Sequence, residues 1–164
     1  MKHIFTRRQA LAGLAAAGAG LALSPFNSSA NLDIKMILER KIPSTGERLP
    51  VVGLGSWQQF DVGPGAAERA PLKAVLQKMQ GMGGRLIDAS PMYGRAEQVI
   101  GDLTTDLNLN DRFFFATKVW TTGKQEGIDQ MSASLRKMKR KKIDLMQVHN
   151  LQDWETPLKT LKDW

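Results

Sequence analysis

Along the chain, short apolar runs alternate with segments whose apolar positions recur every three or four residues. The stretch Ile37 to Lys41 and the residues before Pro50 flank Ser44-Thr45-Gly46, a pattern that predicts a short hairpin. Next comes Leu49-Pro50-Val51-Val52-Gly53-Leu54-Gly55-Ser56-Trp57, a glycine-bounded apolar run that suits a buried strand. Residues 60–70 contain Gly and Pro and read as loop. Pro71 then opens a helix, a position that tolerates its missing N–H. Leu72, Val75, Leu76, Met79 and Met82 keep helical spacing, and Gly83-Gly84 end the segment. Leu86 to Asp88 is a second strand, and Val99, Ile100, Leu103 and Leu107 mark a second helix. Arg112 to Val119, with three consecutive phenylalanines, is a third strand; Ile128, Met131, Leu135 and Met138 mark a third helix. Ile143 to His149 is a fourth strand, and Trp154 to Trp164 begins a fourth helical pattern through Leu158 and Leu161.

Four strand–helix alternations predict an α/β fold with a parallel sheet and right-handed crossovers. The strands are short and largely apolar, as when helices cover both faces of a sheet. Gly55, Asp88, Lys118 and His149 sit at or just beyond successive strand ends, 33, 30 and 31 residues apart. That interval is the length of one βα unit. Parallel strands therefore gather the four positions on one rim, where α/β barrels keep their chemistry. A doubly wound sheet would also bring them to one edge. However, no Gly-x-Gly-x-x-Gly loop opens a helix: Gly53-Leu54-Gly55 lacks the third glycine and runs into loop.

Composition adds a second segment to this picture. Of 164 residues, 42% are hydrophobic, enough for one globular core. The formal charge of +7 is uneven, because residues 1–30 hold Lys2, Arg7 and Arg8 and no acid. The remainder carries +4 (seven less three), an ordinary value for solubility that gives no argument for nucleic acid. Arg7-Arg8, the apolar Ala10–Leu23 run and Ser28-Ser29-Ala30 together read as a cleaved export signal over residues 1–30. Thr6-Arg7-Arg8-Gln9-Ala10-Leu11 resembles the twin-arginine motif, which places the remainder, 31–164, in the periplasm. The apolar run is shorter than the roughly 20 residues that span a bilayer, so no membrane anchor is expected after cleavage. Without cysteine there is no disulfide or thiolate chemistry, and two histidines argue against a protein-built metal site.

The chemistry lies in Leu86-Ile87-Asp88-Ala89-Ser90-Pro91-Met92-Tyr93-Gly94-Arg95-Ala96-Glu97, which carries the only tyrosine of the sequence. A phenol is a weak acid at neutral pH, and a neighbouring ammonium favours its phenolate. Lys118 would supply that ammonium, Asp88 would hold the lysine in place, and His149 would orient a carbonyl. Together they could protonate a carbonyl oxygen as charge develops there. The matching reaction class is carbonyl reduction with a hydride-bearing cofactor. Singly, each residue has an ordinary use: a cap, a packed ring, a surface charge, a structural imidazole.

The chain resembles the aldo-keto reductases in the Leu49–Trp57 run, in Leu86 to Glu97, in Ala116-Thr117-Lys118-Val119-Trp120, and in Ile143 to His149 with the Ser132–Met138 helix before it. The resemblance covers about residues 34–164 and implies a (β/α)8 barrel, NADPH as cofactor and a small-molecule carbonyl substrate. It implies a catalytic tetrad of Asp88, Tyr93, Lys118 and His149, with Tyr93 as proton donor. It also implies cofactor contacts at Gly55, Ser56 and Asp88, and substrate contacts at Trp57 and Trp120. Residues 31–164 number 134, against about 250 for such a barrel. The expectation is therefore a partial barrel, its first four βα units, with open edges prone to self-association. The alternative is a truncated, catalytically inactive half-barrel that acts only by associating with another chain. The basic run Lys137 to Lys142 reads as the solvated end of the third helix, where cations suit the dipole.

Overall fold

The computed structural model describes residues 37–163, so the export signal read over residues 1–30 lies outside the described residues. The expected hairpin is present: β1 (Glu39–Lys41) pairs antiparallel with β2 (Arg48–Pro50). Gly46 takes φ +75° in its turn, and its amide donates to the Ile42 carbonyl at 2.8 Å.

The single strand expected over Leu49–Trp57 is instead two pieces. Leu49 and Pro50 finish β2, and only Leu54–Gly55 form β3. The hairpin keeps hold of the chain through Val51, whose amide donates to the Leu38 carbonyl at 3.0 Å. Gly53 then crosses the Leu86 side chain so closely that a Cβ there would stand 2.8 Å from it. The valines between the two strands are left exposed.

Helix α1 (Ala66–Gly81) also differs from expectation, beginning five residues before Pro71. Residues 66–70, read as loop, form its first turn. Glu68 reaches back to the Gly63 amide at 3.4 Å and Arg69 to the Gly63 carbonyl at 2.9 Å, so the loop chemistry itself starts the helix. The acid in the first turn suits the positive end of the helix dipole. Pro71 is held inside the helix, where its missing N–H removes one intrahelical bond. The stop is as expected: Gly83 at φ +84° lets its amide reach Gln80 O and the Gly84 amide reach Met79 O, the paired bonds of a Schellman end.

The remaining elements are β4 (Leu86–Asp88), α2 (Ala96–Asp106), β5 (Phe114–Val119), α3 (Lys124–Lys137), β6 (Leu145–Val148) and α4 (Glu155–Asp163). Strands β3, β4, β5 and β6 lie side by side in chain order, all parallel. Ile87, Phe115, Leu76, Val99, Ile100, Leu103 and Met138 are fully buried and form the centre of the core. All of β5 is buried apart from the partly buried Lys118, as expected of a strand covered on both faces. Helices α2 and α3 meet at Gly101, where a Cβ would run into the Lys137 carbonyl. The basic run begins at the end of α3, and four of its cations face acids: Lys137 to Glu97, Lys139 to Asp102, Arg140 to Asp111 and Lys142 to Asp144.

Candidate active site

Register fixes which side chains meet. Gly55 pairs with Asp88, Asp88 with Ala116, and Lys118 with Gln147, so Lys118 and His149 each stand two residues beyond the partner of the residue before them. This stagger is what a tilted, barrel-forming sheet requires. Asp88 ends β4, Lys118 lies near the end of β5, and His149 follows β6 directly, at the start of a 3-10 turn (His149–Leu151). Tyr93 comes from the β4–α2 loop. That loop is pinned from the β3–α1 side by Asp61, which accepts from the Arg95 amide at 3.0 Å.

The structure brings the four expected residues together. Lys118 Nζ lies 2.7 Å from Asp88 Oδ2 and donates also to the Ala89 carbonyl at 2.7 Å. The ammonium stands 4.9 Å from the centroid of the Tyr93 ring, within reach of a cation–π attraction. Tyr93 and His149 meet edge to face with centroids 5.6 Å apart. The Lys118 side chain is 12% exposed, so its charge acts through little intervening water. Burial holds the His149 imidazole below its ordinary titration range; the Lys118 charge pushes the same way, and Asp88 opposes it.

The other expected residues surround this group. Trp57 and Trp120 both present exposed rings, and Trp120 lies 6.4 Å from the His149 ring. Gly55 borders open space: a Cβ there would meet nothing within 4 Å. Ser56 faces inward, fully buried, with its hydroxyl donating to the Asp88 carbonyl at 2.8 Å. It thus holds the end of β4 in place.

Two further residues take part that sequence reasoning had not singled out. Gln147 Nε2 donates to Asp88 Oδ1 at 3.1 Å, so the carboxylate is held from both sides. Ser90 Oγ lies 2.7 Å from His149 Nδ1 and accepts from the Met92 amide at 3.2 Å. Period-two alternation along β6 would have put Gln147 on the same face as His149, two residues on. Nothing in the local pattern around Ser90 pointed to His149.

The profile of the aldo/keto reductase family matches residues 51–163. The chain belongs to that family. A methylglyoxal reductase of Escherichia coli, YeaE, is 36% identical over 105 residues, covering 62% of this chain and 35% of its own. An aldehyde reductase of Saccharomyces cerevisiae, YPR1, is 31% identical over 135 residues, covering 82% and 36% respectively. The chain thus spans about a third of the length of the curated relatives it matches. Among solved structures, a Pseudomonas aeruginosa aldo-keto reductase superposes with a TM-score of 0.65 at 22% identity, over 77% of this chain and 55% of that one. A Klebsiella pneumoniae aldo/keto reductase in complex with NADP and acetate gives a TM-score of 0.57 at 26% identity, over 72% and 44%. The α/β unit with its four parallel strands is accordingly part of the aldo/keto reductase (β/α)8 barrel, and Asp88, Lys118 and His149 lie on its C-terminal rim, where such barrels carry their active sites.

Proposed function

We propose that the protein reduces an aldehyde or ketone with NADPH, with Tyr93 as proton donor. The observation that carries this reading is the convergence of Asp88, Tyr93, Lys118 and His149 from separate elements on one rim. The names of two relatives, a methylglyoxal reductase and an aldehyde reductase, support small aldehydes as the substrate class. NADPH, when bound, supplies the hydride. The rim suits such a group: the space above Gly55 is open, Asp88 borders it at the paired position, and Ser56 fixes the Asp88 peptide beneath. Trp57 and Trp120 offer ring faces for the substrate.

In this reading the carbonyl oxygen sits between the Tyr93 hydroxyl and the His149 imidazole. His149 donates a hydrogen bond to that oxygen and orients the carbonyl. Tyr93 gives its proton to the oxygen as negative charge develops there. The phenolate left behind is stabilised by the Lys118 ammonium, itself held by Asp88, which Gln147 holds in turn. The proton donor and its cation are fixed by the fold before substrate arrives, so little rearrangement is needed at the moment of transfer. The Arg7-Arg8 segment supports export to the periplasm as part of the same proposal.

A second reading is that the chain is catalytically silent and works only by association. It is favoured by the pairing of β3 and β6 on one side only among the described residues. The test is consumption of NADPH by the purified chain with methylglyoxal. Turnover is expected, and Tyr93→Phe should lower it by at least about 100-fold, the lower end of what a general acid contributes. The variant should keep a wild-type circular dichroism spectrum. No NADPH consumption by the wild-type chain would favour the second reading.

A further inference from the structure

Ser90 is fully buried, yet it carries a hydroxyl proton that must go somewhere. Among the described residues its hydroxyl has two partners, the Met92 amide at 3.2 Å and His149 Nδ1 at 2.7 Å. The amide is a donor, so it takes a lone pair of the oxygen and cannot receive the proton. Water does not reach the group. The remaining acceptor is Nδ1, and the 2.7 Å separation is short and well suited to an O–H···N bond.

We propose that Ser90 is a positioning residue that fixes the tautomer of His149: it donates to Nδ1 and leaves the ring proton on Nε2. This rests on the carbonyl-reductase reading only for its consequence, since it makes Nε2–H the hydrogen-bond donor offered to a substrate oxygen. The tautomer itself is a property of the chain alone. A neutral ring has one N–H and one bare nitrogen, and the hydrogen bond made by one nitrogen decides the state of the other. Burial and the Lys118 charge hold the ring neutral near pH 7, so the tautomer is the relevant variable. Ser90 also acts at the right place in the chain. The Met92 amide bond locks its side chain into the turn that carries Tyr93, so the proton donor and the carbonyl-orienting ring are set by one loop. With Nδ1 unfilled, the ring could place its proton on either nitrogen. In the wrong tautomer it would present a lone pair to the substrate's oxygen, and that contact is repulsive.

The experiment is nitrogen-15 NMR of the full chain labelled at histidine. The sequence has two histidines, so His3→Gln leaves His149 as the sole imidazole. Above neutral pH, one pyridine-type Nδ1 and one protonated Nε2 are expected. Ser90→Ala should move both nitrogens toward the averaged positions of a tautomer mixture, and Ser90→Thr, which keeps the hydroxyl, should restore the wild-type pattern. A wild-type ring protonated on Nδ1, or a spectrum unmoved by Ser90→Ala, overturns the proposal. The wild-type spectrum decides the question even where Ser90→Ala does not fold. For a chain that turns over NADPH, Ser90→Ala should lower kcat about fivefold, the size of one hydrogen bond, with Ser90→Thr recovering it. A chain without turnover removes the reductase reading and leaves the tautomer result standing.

Discussion

The His149 imidazole is held below its ordinary range chiefly by burial, with the Lys118 ammonium adding to the effect and Asp88 opposing it. Tyr93, Trp120 and Ser90 also pack against it. A lowered histidine pKa means that the unfolded chain binds a proton, near pH 6.5, before the folded chain does. Stability therefore falls as pH drops below about 6.5 and levels off once the folded ring also takes its proton. Urea unfolding midpoints measured between pH 7.5 and pH 5, values near which histidine alone titrates freely, should fall more for the wild type than for His149→Gln. Equal pH dependence in the two chains would show that this ring carries no such penalty. At this scale the site was only partly legible. Asp88, Lys118 and His149 stood out because they recur at βα spacing beside strand ends, and Tyr93 because it is the sequence's only tyrosine, five residues after Asp88. Ser90 and Gln147 did not, since hydroxyls and amides are common and their partners lie 59 residues away along the chain in both cases.

Between elements, one buried carboxylate ties α2 to the sheet. Glu97 is 1% exposed and accepts from Thr117 Oγ1 of β5 at 2.7 Å, while Lys137 approaches its other oxygen at 3.8 Å. A charge so buried depends on its hydrogen bonds. Thr117→Val keeps the shape of the side chain and removes the donor, so it should cost about 1.5–3 kcal/mol, read as a lower midpoint in urea unfolding. A change below about 0.5 kcal/mol would mean that Lys137 alone satisfies the carboxylate. The second contact is Gly101, where the Lys137 carbonyl and the Met138 backbone occupy the space of a Cβ. Backbone cannot rotate away as a side chain can. Gly101→Ala should therefore cost about 3 kcal/mol, the upper part of the overpacking range, even though alanine is the better helix former. Gly55→Ala, with open space at its Cβ, is the control expected to leave stability nearly unchanged. Helix interiors and strand centres were legible from apolar spacing, but several boundaries were not, and two have a visible cause. The start of α1 depends on Glu68 and Arg69 folding back onto Gly63, and the split of the first apolar run depends on Gly53 clearing Leu86. Both are contacts that periodicity does not encode.

As a whole, the described residues form a parallel sheet whose outer strands, β3 and β6, hydrogen-bond on one side only among those residues. A closed barrel has no such edges, and an exposed edge with apolar neighbours is a template for pairing. Beside β3 lies an apolar cavity of about 380 Å³ lined by Val52, Gly53, Leu54, Val75, Met79 and Met82, among others. Val52 is 73% exposed, and Leu145, at the start of β6, is 45% exposed. Among the described residues both edges thus combine unpaired backbone with apolar surface, and a second copy of the chain offers the same combination in return. Sedimentation of the purified chain should show association that grows with concentration. Val52→Lys combined with Leu145→Lys places a cation at each edge and should shift the distribution toward monomer, because burying either charge in a paired edge is costly. An unchanged distribution in the double variant would locate the association elsewhere. The same variant separates the two functional readings, since neither substitution touches Asp88, Tyr93, Lys118 or His149. If it is monomeric and still consumes NADPH, the rim acts within one chain. If turnover disappears with association and returns when the two lysines are reverted, the site needs the second copy to be complete.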